Sequence, residues 1–95
     1  MDKILIVDDE QSIRDSFAFI LKGKYNVLIA ASGEAALKLA ADNKIDLVYL
    51  DIRMPGLDGL ETLQKLKQLD PGQEIVMVTA VNEKQGGVFG RTQKR

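Results

Sequence analysis

Three aspartates, Asp8, Asp9 and Asp51, and one threonine, Thr79, carry the chemistry this sequence can offer. Asp51 closes the apolar run Ile45 to Leu50 where it gives way to Arg53-Met54-Pro55-Gly56, and Asp8 and Asp9 close the run Ile4 to Val7. Short apolar runs bounded by turn residues read as buried strands, so each acid falls at a strand's carboxyl mouth. In open α/β sheets that mouth is where ligands bind. If the two strands are neighbours in a parallel sheet, their ends lie about 5 Å apart and the three carboxylates converge. Like charges at that range repel and raise one another's pKa unless a cation sits between them. A hard divalent cation such as Mg²⁺ suits a site made of oxygens. It can also neutralise an incoming phosphoryl group while an aspartate acts as nucleophile and forms an acyl phosphate. Thr79 ends a later apolar run, and its hydroxyl could donate a hydrogen bond to a phosphoryl oxygen. Taken alone, Asp51 would be read as a turn opener; its partners upstream change that reading.

The totals narrow the field around these residues. At 95 residues the chain is one small domain, with a core that has little margin. A hydrophobic fraction of 45% and a charged fraction of 28% describe an ordinary soluble globular protein and argue against disorder. The net charge of -1 gives no pull toward nucleic acid or an anionic membrane. Without cysteine there is no disulfide, no thiolate chemistry and no sulfur metal site, which fits a cytoplasmic location. Without histidine the usual general base and transition-metal ligand are missing, so a metal site must use oxygen. The apolar stretch after Met1-Asp2-Lys3 is too short for a signal peptide or a membrane span.

Strands and helices alternate to place the acids. Lys3 to Val7 reads as a first strand buried on both faces, as in a parallel sheet. Ile13, Phe17, Ile20 and Leu21 mark a helix, stopped by Lys22-Gly23-Lys24. Val27 to Ala30 reads as the second strand, and Ser32 as the cap of a helix that runs to about Asn43 with Ala36, Leu37, Ala40 and Ala41 as its packing face. Ile45 to Leu50 is the third strand. Leu60, Leu63, Leu66 and Leu69 mark a third helix with a core stripe, and Lys65 and Lys67 its solvated side; Asp70-Pro71-Gly72 ends it. Glu74 to Thr79 is the fourth strand. Such alternation implies right-handed β-α-β crossovers. Tyr49 reads as packing, Met54 as a gap-filler and Pro55 as a rigid corner. From Lys84 onward, three glycines, four basic residues and no sustained apolar period read as a flexible basic tail. Four charges without clustered aromatics predict no direct nucleic-acid binding.

Ile6-Val7-Asp8-Asp9-Glu10, Leu50-Asp51-Ile52-Arg53-Met54-Pro55-Gly56-Leu57-Asp58-Gly59 and Val78-Thr79-Ala80 resemble, in order and spacing, the receiver domain of bacterial two-component response regulators over roughly residues 2 to 83. The resemblance implies a flavodoxin-like parallel sheet of order 2-1-3-4-5, with the first and third strands adjacent. It implies that a sensor histidine kinase phosphorylates Asp51. It also implies that Asp8, Asp9 and Asp51, with the backbone carbonyl of Arg53, hold Mg²⁺, and that the Thr79 hydroxyl meets the phosphoryl group.

The pattern departs from the family after Glu83. The family's fourth helix, fifth strand with its switch aromatic and Lys-Pro pair, and fifth helix are not readable, and its phosphoryl-pairing lysine has no match; Lys84 reads as a solvated loop residue. The expected fold is therefore incomplete, about four strands and three helices, with residues 1–83 as the domain and 84–95 as the tail. In the family the first and fifth helices share one face of the sheet, so that face should lie open here, and the fourth strand should become an open edge. Self-association through both is the expected consequence. The leading function is a phospho-accepting signalling module. The alternative is an inert self-associating binding module. A phosphatase of the haloacid-dehalogenase type ranks last, because that class wants an acid two residues after its nucleophile, and Arg53 stands there.

Overall fold

The computed structural model describes residues 2–52, 59–80 and 88–93. They form β1 (Lys3–Val7), α1 (Gln11–Leu21), β2 (Asn26–Ala30), α2 (Gly33–Asp42), β3 (Leu47–Asp51), α3 (Gly59–Leu69), β4 (Ile75–Ala80) and β5 (Val88–Gln93). One sheet runs β2-β1-β3-β4-β5. The first four strands are parallel, with β1 between β2 and β3 and β4 beside β3. This is the flavodoxin-like order the resemblance implied, with β1 and β3 adjacent.

Strand alternation divides the core. Leu5, Val7, Val48, Leu50 and Ile75 point to one face and pack with Ala36 of α2 and Leu66 of α3. Each large side chain among them contributes about 1.5–3 kcal/mol by leaving water. The residues between them, Ile4, Ile6, Tyr49 and Val76, point to the other face, where Phe17 and Leu21 of α1 approach. α2 starts as the sequence predicts, for the Ser32 hydroxyl accepts from the Ala35 N–H at 3.1 Å. α1 stops with Gly23 at φ 82°, a left-handed turn that glycine adopts without strain.

Several expectations are corrected. Residues 88–93 are not a tail: β5 pairs antiparallel with β4 from Ile75↔Gln93 to Ala80↔Val88, so the edge of β4 is covered. Main-chain pairing needs no apolar period, and an exposed strand edge is a template for any extended segment. Seven residues separate the two strands, too few for a parallel crossover, which needs a dozen or more. The leucine stripe of α3 is only partly core: Leu66 is buried and Leu63 half-buried, but Leu60 and Leu69 are 54% and 53% exposed. Steps of three fall about 60° short of a full turn, so four such leucines cannot share one face; Thr62, four before Leu66, is buried instead. Lys67 is not simply solvated, because its Nζ donates to the Gln73 carbonyl at 2.6 Å and ties α3 to the start of β4. In α2, Ala41 is exposed and Leu39 packs against the core in its place.

Candidate functional site

The registers bring the predicted acids together. Val7 lies beside Leu50, so the next residue of each strand end, Asp8 and Asp51, flank one another at the carboxyl edge. Carboxylate oxygens of Asp8, Asp9 and Asp51 all lie within 4.8 Å of one another. Asp8 is buried, Asp51 half-buried and Asp9 exposed, so the cluster opens to solvent on one side.

Local hydrogen bonds hold Asp8 in place. Its N–H donates to the Ala30 carbonyl at 3.1 Å, which locks the end of β1 to the end of β2. One carboxylate oxygen accepts from the Glu10 N–H at 2.9 Å and shapes the turn into α1. The Arg14 guanidinium, one turn into the helix, donates to the Asp8 carbonyl at 2.8 Å. A cation on a helix start is commonplace, and only the fold brings Arg14 over the strand end.

The electrostatics of the cluster favour a cation. Burial raises the Asp8 pKa most, the Glu10 N–H opposes that, and the charges of Asp51, Asp9 and Glu10 raise it further. Tyr49 is shifted upward as well, first by burial and then by the charges of Asp8 and Asp51. A bound cation would relieve the charge repulsion among the acids. The donor set fits Mg²⁺: bonds of about 2.1 Å put opposite ligands of an octahedron about 4.2 Å apart. The 4.8 Å span exceeds this only slightly, so the three acids fit around one ion with a small adjustment or a bridging water.

The remaining predicted site residues are placed less fully. Asp51 lies beside Val78, and the Ile52 N–H donates to the Val78 carbonyl at 3.1 Å, so Thr79 follows at the mouth of the adjoining strand; its hydroxyl lies outside the described residues. Arg53, whose carbonyl is the fourth expected ligand, also lies outside them, as do Met54, Pro55 and Lys84. Gly59 is a positioning residue. Its N–H donates to the Ile52 carbonyl at 3.4 Å, and a Cβ there would collide with the Ile52 Cα. The start of α3 can therefore close over the end of β3 only if this residue has no side chain. The Pro/Gly turn before it is the available sequence signal, and it points to a tight turn rather than to a packing contact.

The comparisons with known proteins agree with this geometry. Residues 4–90 match the family model of the response regulator receiver domain. The alkaline phosphatase synthesis transcriptional regulatory protein PhoP of Bacillus subtilis is 43% identical over 89 residues, which cover 93% of this chain and 37% of that protein. Sporulation initiation phosphotransferase F of Bacillus subtilis is 39% identical over 83 residues, covering 86% and 67%. Among solved structures, the response regulator TrrA of Thermotoga maritima, in complex with Mg(2+)-BeF, superposes with a TM-score of 0.80 at 37% identity, covering 90% of this chain and 75% of that one. The chain thus spans little more than a third of PhoP and about two thirds of the phosphotransferase. Four parallel strands in matching order, an acid cluster at the β1 and β3 mouths and a family match over residues 4–90 lead to one conclusion: this chain belongs to the response regulator receiver domain family.

Proposed function

We propose that this chain is a phospho-accepting receiver module in which Asp51 takes a phosphoryl group from the phosphohistidine of a sensor histidine kinase. The observation that carries the reading is the meeting of three carboxylates, from two segments more than forty residues apart, within 4.8 Å at the sheet's carboxyl edge. Asp51 is the acceptor: it ends the central strand β3, its carboxylate attacks phosphorus, and the phosphorus–nitrogen bond of the donor breaks as the acyl phosphate forms. Asp8 and Asp9, with Asp51 and the Arg53 carbonyl, hold the metal. Mg²⁺ there supplies charge neutralisation for the phosphoryl oxygens. Buried Asp8, pinned by Glu10 and Arg14, orients the set, and exposed Asp9 leaves the entrance open. Thr79 completes the site from β4 by donating its hydroxyl to a phosphoryl oxygen.

On this reading the module is a phosphoryl acceptor rather than an enzyme acting on a separate substrate. Its acceptor unit falls within residues 1–83, and it works in the cytoplasm beside its kinase. No helix among the described residues is long and apolar enough to cross a membrane. The reading also includes self-association through the sheet face beside α1. A second reading is an inert binding module that keeps fold and metal. Incubation with Mg²⁺ and a small phosphodonor, followed by intact mass, separates them. Added phosphoryl mass that is lost in Asp51→Asn supports the acceptor; no added mass in wild type supports the inert module.

A further inference from the structure

An apolar groove of about 650 Å³ runs along the α1 face of the sheet. Ile4 and Ile6 lie under it, Phe17 and Leu21 of α1 wall one side, and Leu47, Tyr49 and Val76 form the floor over β3 and β4. The burial is lopsided. α1 covers β1 well enough to bury Ile4 and Ile6, but Leu47, Tyr49 and Val76 stay half-exposed. The end of the groove is acidic: Asp2, Asp46 and Glu74 line it, each just before the first residue of β1, β3 or β4.

α1 itself carries the matching surface. Phe17 rests on its own sheet, its ring 4.4 Å from that of Tyr49. Phe19, two residues on, lies about 200° around the helix and so points away from that sheet. It is 80% exposed, and its neighbour Ile20 is 63% exposed. Lys22 and Lys24 follow at once, both exposed. An apolar knob followed by two cations thus sits on the same molecule as an apolar groove that ends in three acids.

We infer that two copies of this chain pair face to face, each inserting the outer side of α1 into the other's groove. This deepens the self-association included in the proposed function and does not depend on phosphorylation. A two-fold axis along the strand direction satisfies both contacts. It sets each α1, which covers the β1 side of its own sheet, over the β3–β4 side of the other. It also keeps the strand directions of the two copies aligned. Phe19 then meets the partner copy's floor of Leu47, Tyr49 and Val76, and Lys22 and Lys24 reach the acidic end beside Asp46 and Glu74. The contact is isologous, the same patch on both copies, and so closes at a dimer. Asp15 and Ser16 stand on the outer side of α1 before Phe19, which confines the apolar contact to the last turn.

The test is sedimentation and light scattering of the full chain across the micromolar range. The wild type should dimerise with rising concentration, and added salt should weaken the dimer as it screens the Lys22 and Lys24 contacts. Phe19→Lys should raise the dissociation midpoint about tenfold or more while circular dichroism shows an unchanged fold. Lys22→Glu with Lys24→Glu should weaken the dimer likewise. Leu60→Lys, an exposed apolar site on α3 outside the patch, should leave it unchanged. A wild type that stays monomeric throughout overturns the inference, as does a dimer indifferent to Phe19→Lys or equally sensitive to Leu60→Lys. Phosphoryl uptake measured on the Phe19→Lys monomer keeps the two questions apart, since acceptance on Asp51 should persist there.

Discussion

The two faces of the sheet are built from the same kind of strand residue and are finished in unlike ways. On the α2–α3 face, Leu5, Val7, Val48, Leu50 and Ile75 meet two helices and are almost fully buried. On the α1 face, among the described residues, one helix covers β1 and leaves a groove over β3 and β4. α1 has no fully buried residue, whereas α3 buries Gly59, Thr62 and Leu66. The difference teaches where stability resides. The closed face supplies the packing energy that fixes β1 beside β3, and therefore fixes the acid cluster; the α1 face adds less to the fold, because among the described residues its side chains over β3 and β4 are only half-buried.

Substitutions on each side sharpen that contrast. Leu50→Ala, one residue before the acceptor on the closed face, should cost about 2–5 kcal/mol, because the neighbours cannot collapse into the space. Denaturant unfolding would show it, and a loss like that of an exposed site would break the comparison. Gly59→Ala should cost about 1–3 kcal/mol through its clash with the Ile52 backbone. The same variant should weaken Mg²⁺ binding, read by titration, since Ile52 adjoins Asp51. Phe17→Ala on the α1 face removes a half-buried aromatic pair and should cost about 1–2 kcal/mol, less than Leu50→Ala under the same conditions.

The smallest effect expected is in pH. The folded Asp8 carboxyl titrates above its ordinary 3.8, so between that value and its raised one the folded state holds a proton that the unfolded chain has released. Stability from this group is therefore present at low pH and is lost as pH rises through the folded pKa. The melting temperature of wild type relative to Asp8→Asn should fall across that window without Mg²⁺. With Mg²⁺ present the relative fall should vanish or reverse, because the cation binds the ionised form. An unchanged difference between the two proteins, with and without the metal, would remove Asp8 from the metal site.

Much of this was legible in the chain itself. The apolar run Lys3–Val7 carries the observed bounds of β1, and Ser32 reads as the cap whose hydroxyl accepts from the Ala35 N–H. These are local signals, in which propensity and a neighbouring hydrogen bond suffice. Leu60 and Leu69 misled because spacing alone does not say which side of a helix meets the sheet. The stretch 88–93 misled because an unpatterned sequence can still satisfy a strand edge through its backbone.

By itself the sequence determined which residues could act and where each strand would present them. It carried Asp8 and Asp9 to the end of one apolar run, Asp51 to the end of another, and the alternation that demands parallel crossovers. Only the tertiary structure realised the pairing of β1 with β3 and decided that Arg14 and Gly59 brace their ends. The reason is range: strand character follows from neighbours a few positions away. The meeting of Asp8 with Asp51 depends on which strands pair, and that is settled by the burial of whole faces.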